Sequence, residues 1–211
     1  MILIFSVYWE CQRITIKYPL TDVPETTLST TSELTDNRNL FLEQGYFIVK
    51  GVYSPDEISS LRKMVFRLYC KFNPHDKSLQ HHSEPWLSSL LDKKLIEFQN
   101  RDPDLFGVLY NCAQNSPLLC RLATDPRALS IAAGALGGKV EELSFSGTLF
   151  RMDVPFDKRN TLQWHQDHPF YPQNRDGGNG LVMTVAVGNV SADMGAVQLC
   201  AGSHKEGLVK A

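Results

Sequence analysis

Leu162-Gln163-Trp164-His165-Gln166-Asp167-His168-Pro169-Phe170 is the stretch on which the fold and chemistry of this chain turn. Read as a strand, it alternates side chains between two faces, so Gln163, His165 and Asp167 share one face while Gln166 and His168 point the other way. An imidazole and a carboxylate two residues apart on a strand form one edge of the two-histidine, one-carboxylate set that leaves positions open on a non-haem Fe(II). His-x-Asp is a short motif, and the same residues also suit a solvated strand end whose two side chains bond to each other. Context has to decide between them.

Residues 143–152, before the motif, read as a strand. Residues 181–190 form an almost continuous apolar run after it, and residues 196–200 a short β-like run between glycines. In the long run Leu181, Met183, Val185 and Val187 occupy one face and Val182, Thr184, Ala186 and Gly188 the other. The smaller face leaves room beside a ligand or packs closely on a second sheet. The second half therefore reads as a sheet.

Further upstream the period is helical. Ser54-Pro55-Asp56-Glu57 combines an N-cap serine, a proline at the first helical position and a glutamate three residues after the cap. Ile58, Leu61, Val65, Leu68 and Phe72 then lay an apolar stripe along a helix of about four turns. Helices are also expected around 87–98, from 103 to 113, from Ser116-Pro117, and from Asp125-Pro126 to Gly137-Gly138. Leu40, Phe41 and Gln44 belong to a short helix that stops at Gly45, followed by a β-rich run, 46–50. His75, His81 and His82 fall in a polar stretch and read as solvated.

A chain of 211 residues suits one domain with an appendage. We divide it into an N-terminal extension and linker, 1–33, and a single domain, 34–211, mostly helical to 138 and sheet-forming from 139. The net charge of −2 gives no electrostatic footprint for nucleic acid or anionic lipid, so a small-molecule partner is expected. Five cysteines without a CxxC pair suit reduced thiols in a core. The apolar opening, residues 1–9, lacks a basic n-region and a cleavage site, and no run is long enough to span a bilayer. It reads as an added strand or as residues from a mis-called start. The expected location is the cytoplasm.

Three segments in order carry a family resemblance. They are Glu43 to Gly51 running into Ser54-Pro55-Asp56-Glu57-Ile58, then Gln163-Trp164-His165-Gln166-Asp167, then Gly195 to Lys205 with its Gly202-Ser203-His204-Lys205 turn. Over residues 34–207 the chain resembles the phytanoyl-CoA dioxygenase family of Fe(II)- and 2-oxoglutarate-dependent oxygenases. The resemblance implies a mainly β fold with N-terminal helices. Its core would be a double-stranded β-helix, a cupin-like jelly roll of eight strands, incomplete here at the C-terminus. It implies His165 and Asp167 as catalytic iron ligands, Gln163 as a cosubstrate or substrate contact, and His204 as a structural residue of the turn. The cofactor would be Fe(II), with 2-oxoglutarate and O2 as cosubstrates and hydroxylation of a small organic substrate as the reaction. In the family the distal histidine ligand and the 2-oxoglutarate-binding arginine lie past the turn. The resemblance thus implies an N-terminal fragment lacking both, inactive alone.

Departures from the family pattern are Ala201 for the turn proline, Val154 at a cosubstrate-lysine position and Thr184 at a tryptophan position. Arg151, Lys158 and Arg159 are available cations and read as solvated strand-flanking charges. The rival function is a non-catalytic cupin-like binding or interaction domain, although half a barrel leaves strand edges unpaired. A zinc hydrolase using His165 and Asp167 lacks both a third ligand and a general base placed by motif.

Overall fold

The computed structural model describes residues 2–9, 15–18, 25–27, 31–154, 164–167, 180–191 and 194–207, those before 37 as backbone alone. Six α-helices run from Thr31 to Leu136: α1 Thr31–Gln44, α2 Pro55–Phe72, α3 Ser89–Arg101, α4 Pro103–Gln114, α5 Pro117–Ala123 and α6 Pro126–Leu136. Strands are shorter and fewer in residues: β1 Ile2–Trp9, β2 Thr15–Tyr18, β3 Glu25–Thr27, β4 Ile48–Lys50, β5 Phe145–Asp153, β6 Leu181–Ala186 and β7 Leu199–Cys200. They form a three-stranded sheet in the order β5-β1-β6 and two two-stranded pairs, β2-β7 and β3-β4.

This corrects the expected mainly β fold. Helix is the dominant structure, and no double-stranded β-helix or closed jelly roll is formed among the described residues. The expectation of a barrel came from the family resemblance, whereas the helical periodicity upstream of residue 138 came from the residues themselves. The β-rich second half is also less regular than its apolar pattern suggests. The long run ends as a strand at Ala186, just before Gly188 and Asn189, and the 196–200 run keeps two strand residues. Trp164 to Asp167 lie outside every strand.

The helices start where local chemistry dictates. Ser54 Oγ accepts from the Glu57 amide at 3.2 Å while Glu57 Oε2 accepts from the Ser54 amide at 2.8 Å, a complete capping box. Ser88, Asp102, Ser116 and Asp125 cap α3 to α6 in turn, and proline follows the cap in α2, α4, α5 and α6. At its far end α6 stops at Gly137, whose φ of 73° is left-handed, and the Gly138 amide reaches back to Ala133 O at 3.0 Å. Arg38 from α1 donates to Ala135 O at 3.0 Å, placing a cation at the negative end of α6.

One apolar core joins the helices to the sheet. Leu61, Val65 and Tyr69 of α2 are buried with Leu91, Leu95 and Phe98 of α3, Phe106 and Leu109 of α4, Leu119 of α5 and Ile131 of α6. Phe150 and Met152 from β5, and Leu181 and Val187 from the β6 run, complete it. The stripe on α2 is thus centred one residue away from Leu68. Tyr69 is the buried residue, and Ile58, Leu68 and Phe72 flank it. Tyr69 is usable there because its hydroxyl donates to Asp76 at 2.6 Å, which satisfies the polar tip. The large-residue face of β6 turns inward as its alternation requires, and Thr184, Ala186 and Gly188 are exposed. Of the cysteines, Cys70 and Cys200 are half-buried and Cys112 and Cys120 exposed, so none of these four is a buried core residue.

The N-termini of α2 and α6 are clasped together. Arg127 donates to both Glu57 oxygens, at 2.6 and 3.1 Å, and to both Asp125 oxygens, at 2.7 and 2.9 Å. Its guanidinium also lies 5.5 Å from the Tyr53 ring centre. The Arg127 hydrogen bonds first, then the Ser54 amide, hold the Glu57 carboxyl down to about 2 from an ordinary 4.5. A carboxyl depressed on folding adds stability above its unfolded value and loses it as pH falls through the folded one. The pair is partly exposed, so water and salt weaken it. Melting temperature should therefore fall between about pH 4.5 and 2 by less in Glu57→Gln than in the parent. Parallel curves for the two proteins would remove Glu57 as a contributor.

Candidate metal centre

Trp164-His165-Gln166-Asp167 forms an irregular bend in place of the expected strand. His165 and Asp167 nevertheless lie side by side, with Gln166 turned away from them. His165 Nε2 lies 3.1 Å from Asp167 Oδ1, and each side chain is 37% exposed, so the pair is open to solvent on one side. Gln166 between them turns inward, is 6% exposed, and donates from Nε2 to Gly207 O at 2.9 Å. Two donors each roughly 2.1 Å from one ion and at right angles lie about 3 Å apart. The observed separation fits two neighbouring positions on one divalent cation, and it equally fits a histidine-to-carboxylate hydrogen bond in its absence.

Gln163, His168, Lys158 and Arg159 lie outside the described residues, as does Cys11. His75, His81 and His82 are exposed in the turns between α2 and α3. Among the described residues no group of three or more His, Cys, Asp or Glu side chains could hold a metal ion. Arg151 pairs with Asp153 on its own strand at 3.0 Å. No described helix is long and apolar enough to cross a membrane.

His204 is occupied elsewhere. The Ser203–Glu206 segment is a single 3-10 turn, and Gly202, with φ of 76°, takes the left-handed position before it. The Gly202 amide donates to Gln44 O at 2.7 Å, and His204 Nε2 donates to Leu42 O at 3.0 Å, both at the C-terminal end of α1. The imidazole lies over Gly45, where an added Cβ would come 2.6 Å from Nδ1. Gly45 also has φ of 85°, so both conformation and space require glycine there. Sequence reading identified this glycine only as a helix stop. Its partner His204, 159 residues later, is legible as a structural residue of the turn, but the contact between them carries no local signal, because it joins a glycine surface to a ring edge without any periodic pattern.

His165 and Asp167 are thus two adjacent, partly exposed side chains on an irregular loop, with the buried Gln166 amide between them. One family model matches, phytanoyl-CoA dioxygenase (PhyH), over residues 41–211. The chain belongs to this family, which is of the Fe(II)- and 2-oxoglutarate-dependent oxygenase type. No curated protein and no solved structure matches the chain.

Proposed function

We propose that this chain carries part of the active site of a 2-oxoglutarate-dependent dioxygenase that hydroxylates a small organic substrate, with His165 and Asp167 as two of the protein ligands to Fe(II). The observation that carries the reading is the 3.1 Å separation of His165 Nε2 and Asp167 Oδ1 within a chain of this family. The chemistry supplied by bound Fe(II) is the oxidative decarboxylation of 2-oxoglutarate to succinate and CO2, coupled to transfer of an oxygen atom from O2 into a substrate C–H bond.

The residues have separate tasks. His165 offers a neutral nitrogen donor, and Asp167 offers an anionic oxygen that offsets part of the charge of a divalent ion. Their partial exposure leaves the outward side open for a cosubstrate and substrate to approach. Gln163, two residues before His165 in the sequence, is assigned contact with the cosubstrate or substrate on the strength of the family resemblance. Gln166 faces inward and fixes the segment that carries both donors.

The test is 2-oxoglutarate turnover by the full-length protein. Succinate should form only with Fe(II) present, and a chelator should abolish it until iron is restored. Succinate formation that ignores both iron and chelator would overturn the reading. No succinate under any loading, with small molecules still bound, would favour the non-catalytic binding domain.

A further inference from the structure

We propose that the Gly202–Gly207 turn is a strut that positions the His165–Asp167 pair, with Gln166 as the positioning residue through which it acts. The inference rests on the metal-binding role assigned to that pair. Two candidate ligands in a strand would be aligned by the backbone ladder on either side. Here the segment lies outside every strand, so the relative placement of His165 and Asp167 depends on how the residue between them is anchored.

The anchor is a series of hydrogen bonds. Gln166 Nε2 donates to Gly207 O at 2.9 Å from a buried position. Gly207 closes the 3-10 turn that begins at Ser203. At the other end of the same turn, the Gly202 amide donates to Gln44 O and His204 Nε2 donates to Leu42 O. His204 Nδ1 is buried without a hydrogen-bond partner against Gly45, so packing as well as bonding fixes the ring. The turn therefore links the end of α1, itself tied to α6 through Arg38, to the residue between the two donors. A short, hydrogen-bonded connection of this kind transmits position because every joint in it is specified.

Mn(II) titration of the full-length protein, followed by the loss of its free-ion paramagnetic resonance signal, tests this without requiring turnover. Gln166→Met keeps the volume and removes the donor, and should weaken Mn(II) binding several-fold to about 10-fold, at or below the low end of what losing a group bonded directly to a ligand costs, because Gln166 acts on the ligands through the backbone. His204→Ala, at the far end of the strut, should weaken it as well. Because both act on one connection, the double variant should bind nearly as well as the weaker single variant and well short of the product of the two losses. Arg127→Ala, which loosens the α2–α6 clasp, should lower the melting temperature and leave Mn(II) affinity unchanged, separating positioning from general stability.

The outcomes are distinct. If the parent binds Mn(II), His165→Ala does not, and Gln166→Met binds as the parent does, the strut is overturned and the metal site stands. If the parent and His165→Ala bind alike, or neither binds, the metal site fails and the strut fails with it. Multiplicative losses from Gln166→Met and His204→Ala would also overturn the single connection.

Discussion

His165→Ala in the full-length protein should abolish iron-dependent succinate formation, lowering it by at least about 100-fold, and Asp167→Ala should do the same. Losing an outer partner of a metal ligand already costs roughly 10- to 100-fold, and losing the ligand itself removes a donor outright. The fold should scarcely notice. Both side chains are 37% exposed, and neither belongs to the buried core. Substitutions at such positions usually change stability by about 0.5 kcal/mol or less. Unchanged turnover in either variant would refute the assignment, whereas a large drop in melting temperature would make the activity loss uninformative about ligation and contradict the exposure. Measuring both on the same preparation separates the two effects.

Phe98→Ala carries the largest expected cost in stability. Phe98 is fully buried on α3, with its ring 6.1 Å from Tyr69 of α2 and 5.8 Å from Phe106 of α4, both edge to face. The Arg101 guanidinium lies 5.2 Å from its centre. Removing the ring therefore empties the junction of three helices and forfeits two favourable aromatic contacts at once. A Phe-to-Ala change in a packed core costs about 3 to 5 kcal/mol. That is a large share of the roughly 5 to 15 kcal/mol by which a domain is stable. Denaturant unfolding should show the midpoint displaced accordingly, and a loss below about 1 kcal/mol would mean that the junction collapses around the gap or is loosely packed in the parent.

The helices were legible because their signals are local. Ser54 and Glu57 specify a start within four residues, and the structure forms both halves of that capping box. Gly45 and Gly137 mark stops in the same way, each with the left-handed φ that glycine permits. Periodicity found α2, but it placed the buried stripe on Leu68, because it could not foresee that Asp76 would satisfy the hydroxyl of Tyr69. Such a bond depends on the turn that follows the helix.

The sheet was less legible for a related reason. An apolar run announces that it will be buried and says little about which strand it joins. Residues 181–190 carry the correct inward face, yet regular pairing ends at Ala186. For the candidate centre, His165 and Asp167 stand 3.1 Å apart, side by side as the two-residue spacing suggests, although the strand that the spacing presumed is absent. Spacing placed Gln166 on the opposite face but could not reveal its partner, a carbonyl 41 residues later.

The position of β1 has a consequence for the order of events during synthesis. β1 lies between β5 and β6 and is antiparallel to both, with Ile2 opposite Asp153 and Trp9 opposite Leu181. The central strand of this sheet thus precedes both of its neighbours on the ribosome, with all six helices translated in between. Helices stabilised by nearby contacts can assemble while the apolar opening segment is still without partners. The sheet can close only after β6 has emerged, and until then that segment is the part of the nascent chain most in need of protection from association with other chains.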